Sequence, residues 1–497
     1  SVGVVKFMTT GARGVEGAGI VLNRWIVRVL GIAAAAWGTQ AASGISVTLT
    51  NHDPFPLTSF NAAQNWSSGA APTAGNDYFT AGYILRTPQA SGNFTFAGDS
   101  LTIDALPGEL LFKGTSAGDT ITINDLRLNG GDIKNGSTVS IWILDGQATL
   151  AADSYFTFSV SGALTTHWAG TISGAGAMIT RQSGGSPASE VLRLSGNNTY
   201  SGGTILNTGR IHFAHDNAFG TGPITLASNG VTLASHGAAR TIANPLNIHA
   251  DFIHGIGGVG SFVSAFNGPV SLGAGIRSIQ LVNSVSVGGP ISGAGGIDMF
   301  GGGTLTLTGT NTFTGPIKIG AGLFWLSGAA SLGGGSYSAA ITNNGTFRYQ
   351  SSVNQALSGI LSGSGSLMAM GSGTLTLSGV NTYTGSNTLS GGKLSVAADS
   401  ALGAAPGSPT TGRLTFNGGT LQSTASFTLH ANRGVSLAGN GTIEAASGTT
   451  LTYGGIIAGS GALGKSGAGT LSLSGNNTFS GVFSVLAGGV QIGTVNN

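Results

Sequence analysis

Seven of the 17 acidic residues, Asp99, Asp104, Glu109, Asp119, Asp125, Asp132 and Asp145, fall within a stretch of fewer than 50 residues. Carboxylates set at a fixed interval along a repeating chain can share a Ca²⁺ ion or divide general acid and base roles on a sugar. Asp125 and Asp145 stand at an interval of 20, and that spacing predicts a stack on neighbouring coils with Asp104 nearby. A local reading competes with it. Asn124-Asp125 and Asp145-Gly146 read as turns in which the Asx side chain bonds its own backbone, and no Lys, Arg or His stands at the same offset as a partner. His212 and His215, in Ile-His-Phe-Ala-His-Asp216, invite a metal reading that strand geometry opposes. Residues three apart on a strand point to opposite faces, and the matching stretch Leu394-Ser-Val-Ala-Ala-Asp399 carries Ser and Ala in the same two places. No cofactor is implied.

Composition removes other chemistries. The 497 residues include no Cys, which excludes thiolate metal sites, Cys nucleophiles and disulfide frameworks. The formal charge of +2 resides in the first 42 residues, since without Lys6, Arg13, Arg24, Arg28 and Glu16 the remainder has 15 basic and 16 acidic residues. No dense basic face is left to displace counterions from phosphates, so nucleic acid is not an expected partner.

The elements that would position these side chains follow from punctuation and alternation. Gly accounts for 88 residues and charged residues for 7%, while Leu, Ile, Val and Phe alternate with Thr and Ser in short runs, which is strand and turn chemistry. Leu101, Ile121 and Ile141, and likewise Ile103, Ile123 and Ile143, repeat at intervals of 20. A fixed step of this size stacks like residues in a parallel β-helix.

Four segments share one pattern: Leu192-Arg-Leu-Ser-Gly-Asn-Asn-Thr-Tyr-Ser-Gly202, Leu305-Thr-Leu-Thr-Gly-Thr-Asn-Thr-Phe-Thr-Gly315, Leu375-Thr-Leu-Ser-Gly-Val-Asn-Thr-Tyr-Thr-Gly385 and Leu471-Ser-Leu-Ser-Gly-Asn-Asn-Thr-Phe-Ser-Gly481. Their Asn198, Asn311, Asn381 and Asn477 are separated by intervals of 113, 70 and 96. These intervals divide into about five, three and four coils of roughly 22 to 24 residues. Around Phe313 one coil reads as a strand Thr304–Thr308, a bend at Gly309-Thr-Asn311, a second side with Phe313, Ile317 and Ile319 inward, and a third side Gly322–Leu326. The expected fold is all-β, a right-handed three-sided parallel β-helix from about residue 94 with an irregular N-terminal cap. It would have roughly 18 coils and a length on the order of 85 Å.

With its Gly-rich leads, this pattern resembles the autotransporter-associated β-strand repeat family, well over about residues 170–497 and more loosely over 94–169. The resemblance implies a secreted or surface-displayed bacterial passenger region, with an outer-membrane translocator expected outside this chain. It implies no activity, because the repeat is a scaffold.

Residues 1–42 read as a leader with a signal peptide at about 24–42, where basic residues precede a short apolar run and Thr39-Gln-Ala41 offers a cleavage site. Residues 43–93, rich in Pro and aromatic residues, read as a cap over the first open coil. The last repeat reads as cut short before its end. The expected role is structural and adhesive, through glycan or cell-surface contacts made by outward Thr and Ser, with Trp142 and Trp325 as surface-contact candidates. The alternatives are a polysaccharide lyase or hydrolase using Asp125 and Asp145, and a passive spacer for another domain.

Overall fold

A computed structural model describes residues 44–53, 59–158, 164–183, 190–256 and 262–493. The chain divides into two units, Ser1–Ile45 and Ser46–Asn497. The expected leader, signal peptide and cleavage after Ala41 lie outside the described residues.

The second unit is an all-β solenoid of about 18 turns. Among the described residues its named strands pair in parallel, as in the 10-stranded sheet from Ile84–Arg86 to Ile291–Ser292 and the 11-stranded sheet from Arg240–Ile242 to Ile457–Gly459. Parallel pairing is already present between Asn76–Phe79 and Ser100–Asp104, ahead of residue 94, where the sequence register begins. Phe60, Trp66, Tyr78 and Phe96 are buried beside this pairing. They pack edge to face with centroids 4.9 to 5.6 Å apart, the geometry that sets positive ring edges on negative faces.

Alternation fills the interior. Leu305, Leu307, Phe313, Ile317 and Ile319 are all buried as expected. The coil around Phe313 is nonetheless shorter than its sequence suggests, because Leu323–Gly328 is not a third side. It pairs with Thr304–Leu307, so Thr304 lies under Leu323 at a step of 19. The third side is the Asn-Thr-Phe-Thr segment itself, held by bonds from the Thr312 N–H to the Ile291 carbonyl (2.8 Å) and from the Thr314 N–H to the Gly293 carbonyl (3.1 Å). Elsewhere the step reaches 27, with Asn387 under Leu414. The extra length of that coil forms a 3-10 turn, Asp399–Leu402. Arg433, 1% exposed, ties this turn down through both Asp399 carboxylate oxygens and the carbonyls of Leu402 and Gly403.

The recurring motif acts as a clamp between coils. At Asn381 the side-chain Oδ1 accepts the Leu361 N–H of the coil below (2.8 Å), and Nδ2 donates to the Ala401 carbonyl of the coil above (2.7 Å). Asn311 does the same with Ile291 and Ser331, and Asn198 with Ile172 and Ala218. Asn477 accepts from Ile457 (2.9 Å). An amide supplies one acceptor and two donors on a short stem, so Asn serves both neighbours at a corner where the ladder is interrupted. The two motif glycines stand on glycines of the coil below. Gly379 lies over Gly359 and Gly385 over Gly365, and the other three copies repeat both stacks. A Cβ at Gly385 would fall 1.9 Å from the Gly365 carbonyl oxygen. Close backbone approach, rather than a left-handed conformation, selects glycine there.

The early register of 20 is corrected by the pairing. Leu101 lies under Leu126 and Ile121 under Leu144, steps of 25 and 23. Trp142 and Leu144 point inward, while Ile141 and Ile143 are half-buried. The odd step of 23 sets this phase, with Asp119 under Trp142 and Ile121 under Leu144. The register shift between Thr122 and Asp125 changes phase only within the earlier strand, from Ile121 and Ile123 to Leu126 and Leu128, since one extra residue sends every following side chain to the other face.

An imidazole is set in an apolar stretch of the interior. His254, 1% exposed, lies between Leu233 and Leu281 on the stack. It lines a cavity of about 40 Å³ with Phe266, Leu246 and Val270. Neither ring nitrogen has a hydrogen-bond partner among the described residues, and burial pushes its pKa down to about 4. The unfolded chain, with an ordinary value near 6.5, binds the proton more readily between these two values, so stability is lost as pH falls through that window. His254 alone is expected to remove about 2 kcal/mol between pH 7 and pH 5. Urea unfolding at the two pH values checks this: His254→Leu should lose less stability on acidification than the parent, and an equal loss would contradict the assignment.

Candidate functional site

The structure does not bring Asp125 and Asp145 together. Across the shifted register Asp145 lies over Thr122 and Asp125 under Gln147. Asp125 instead pairs with Arg127 on its own strand (2.6 Å), and Arg127 also approaches Asp77 at 3.9 Å. The carboxylate bond raises the Arg127 pKa, although in so exposed a pair this contributes little stability. Other early carboxylates secure turns one coil away. Asp99 accepts the Gly75 N–H, Asp104 the Ala81 N–H and Asp119 the Gly92 N–H, each at 2.8 Å. They resemble the local Asx bonding expected from sequence, but they reach across coils.

The carboxylates that do stack are Glu109 and Asp132. Burial raises both pKa values, and the Asp132 charge raises that of Glu109 further. Lys134 approaches Glu109 at 3.5 Å. Arg181 meets Asp132 at 2.7 Å and lies 4.6 Å over the Tyr155 ring. The Thr157 hydroxyl donates to the same Asp132 oxygen at 2.7 Å. Asp132 is fully buried, so this pair has no access to a polymer and works as a buried tie between coils. The signal for it was the interval of 23 between Glu109 and Asp132, which a register of 20 passes over.

Trp142 is not a surface contact. Its indole stacks on Phe112 with centroids 4.4 Å apart and planes 9° from parallel, and Nε1 donates to the Thr166 hydroxyl at 3.0 Å. Trp325 does face outward, half-buried in the row Thr306, Trp325, Arg348, Met368, Thr388. The Arg348 guanidinium lies 5.1 Å from the indole centroid, a cation–π arrangement that fixes both side chains on the outer face. Hydroxyls fill much of the neighbouring surface, as in Thr342 with Ser362 (3.4 Å) and Thr149 with Ser173 (3.3 Å). His212 and His215 separate, His212 lying on a strand and His215 accepting the Asn217 N–H at 3.0 Å. The arrangement offers a rigid outer face of hydroxyls with aromatic and cationic features such as the Trp325–Arg348 pair, suited to many polar contacts.

The passenger-associated-transport-repeat model matches residues 189–211, 299–324, 370–396 and 463–492, the segments that carry the Asn clamp. The chain is also similar to the adhesin BmaC autotransporter of Brucella suis biovar 1 (strain 1330), 38% identical over 129 residues. That alignment covers 26% of this chain and 4% of the adhesin, so the chain spans a small part of the length of this curated relative. No solved structure gives a significant match. Four segments of the solenoid thus match passenger-associated transport repeats, and part of the chain is similar to an autotransporter adhesin.

Proposed function

We propose that the chain is a structural and adhesive passenger, secreted or displayed at the outer membrane of the bacterium. The observation that carries this reading is the division of labour within the repeat. Its Leu, aromatic, Asn and Gly residues are spent on stacking coils, and the positions between them present Thr, Ser and the Trp325–Arg348 pair outward. A partly similar protein named as an adhesin supports the same direction. Adhesion of this kind sums many weak polar contacts on a rigid support, so it needs no catalytic step. The partner is a glycan or a cell surface, and an outer-membrane translocator displays the passenger.

Asp125 and Asp145 do not form the stacked pair that a polysaccharide lyase or hydrolase would use, and no other observation favours cleavage. The test is attachment. Cells lacking the protein should bind a host-cell or glycan-coated surface less than the parent, and restoring the chain on the surface should restore binding. Unchanged attachment and aggregation after deletion would refute the adhesive role.

A further inference from the structure

Among the described residues, cations such as Arg127, Lys134, Arg181, Lys318, Lys393 and Arg433 form ion pairs with carboxylates. One region of the solenoid departs from this habit. His167 lies under Arg193, Arg193 under His212, and His212 under Ala234. Leu192, Leu194, Ile211 and Phe213 enter the core, so strand alternation turns Arg193 and His212 outward. His236, just beyond the strand Val231–Ser235, lays its ring on His212 with centroids 5.7 Å apart and planes 15° from parallel.

These groups are shielded and short of partners. His212 is 8% exposed, and among the described residues neither of its ring nitrogens has a hydrogen-bond partner, nor does the Nε of Arg193 or Arg240. Arg193, Arg210 and Arg240 make no ion pair among those residues. The surrounding charges are Arg193 and Arg210 acting on His212, Arg193 and Arg240 acting on His236, and Asp145, the one carboxylate that acts on His167. His167 is engaged with the Ser195 hydroxyl at 2.8 Å. The result is a cluster of half-buried N–H donors with positive charge and, among the described residues, no carboxylate paired to it.

We propose that Arg193, His212 and His236 form an oxyanion site on the outer face of the solenoid, taking a sulfate, phosphate or carboxylate group of the kind an acidic polysaccharide carries. This rests on the adhesive reading only for the source of the anion. Guanidinium presents a planar fork that matches such oxygens, and charge-assisted bonds to it are about twice as strong as neutral ones. Burial and neighbouring positive groups push the His212 pKa down to about 4, so the imidazole is neutral at pH 7. A bound anion favours the imidazolium, and binding therefore takes up protons and tightens as pH falls.

The test is a sodium sulfate titration at constant ionic strength, followed through the histidine ring signals of the full chain labelled at His. Sulfate should shift His212 and His236 saturably and bind at least about tenfold more tightly at pH 5.5 than at pH 7.5. Arg193→Gln should lose about tenfold or more in affinity, His236→Asn should reduce the pH dependence, and Lys318→Gln should behave as the parent. No saturable shift, or the same affinity in a folded Arg193→Gln chain, would overturn the site. A sulfated polysaccharide binding more tightly than free sulfate, with the neutral polymer silent, assigns the anion to a glycan, whereas equal affinity assigns it to the free ion. If deletion of the protein lowers attachment and Arg193→Gln does not, the glycan source falls while the adhesive reading stands.

Discussion

Gly385→Ala is expected to prevent its coil from closing, at a cost above about 4 kcal/mol. The added Cβ would stand 1.9 Å from the Gly365 carbonyl oxygen and 2.3 Å from its carbon, and both are backbone atoms with no rotamer to move. Relief requires lifting one coil from the next. Parallel strands sit about 4.8 Å apart, so a lift of about an ångström breaks the bonds that flank the site. These are the Thr384 N–H to the Gly363 carbonyl (2.8 Å) and the Leu367 N–H to the Ser386 carbonyl (2.9 Å). Gly407 supplies the control, because a Cβ there meets nothing within 4 Å; Gly407→Ala should stay within about 0.5 kcal/mol of the parent. Guanidinium unfolding of the three chains separates the cases, and a Gly385→Ala midpoint equal to the parent's would mean that the stacked glycines are incidental.

Asn381→Ala should cost about 2 to 4 kcal/mol, since it leaves the Leu361 N–H and the Ala401 carbonyl without the amide that served both. Asn381 is 3% exposed, so water does not readily replace it. Asn381→Asp should be worse at neutral pH, because it keeps the acceptor but turns a charged oxygen toward the Ala401 carbonyl. Asn477 accepts only the Ile457 N–H among the bonds of this kind and is half-buried, and Asn477→Ala should cost about half as much. Matched denaturation curves should rank Asn381→Asp as the least stable of the three variants, Asn381→Ala next and Asn477→Ala as the most stable. Equal midpoints would mean that the amide clamps nothing.

Much of this architecture was legible because its causes are local. The Leu pair, the aromatic residue and the Gly and Asn of each motif copy recur together, and alternation alone placed Leu305, Leu307 and Phe313 inward. The length of a coil was less legible, because a solenoid tolerates insertions at its corners. The turn Asp399–Leu402 lengthens one step to 27, whereas motif coils close in steps of 19 or 20. A register of 20 carried into the early coils therefore mispaired Asp125 with Asp145 and faced Trp142 outward. The step between these coils is 23, which places Trp142 over the buried Asp119 and Asp145 over Thr122, and an odd change of step sends every side chain to the other face. Trp325 kept its outward place because it stands one short step from Thr306 in regular coils. The Glu109–Asp132 tie and the His212–His236 stack were hidden for the same reason, since each joins residues more than 20 positions apart on coils of unequal length.

If the repeat clamps coils together and leaves adhesion to the outer face, native-state hydrogen exchange tests it most directly. The comparison is between the parent and Asn381→Ala in the peptides that cover Gln355–Leu357, Leu361–Ser362 and Thr374–Leu377. The Leu361 amide should be strongly protected in the parent. In the variant, exchange should be faster at Leu361 and in the adjoining coils, while coils such as Thr204–Leu206 keep their protection, as expected of a nearest-neighbour solenoid. Unchanged protection at Leu361, or a uniform loss along the whole chain, would contradict the clamp.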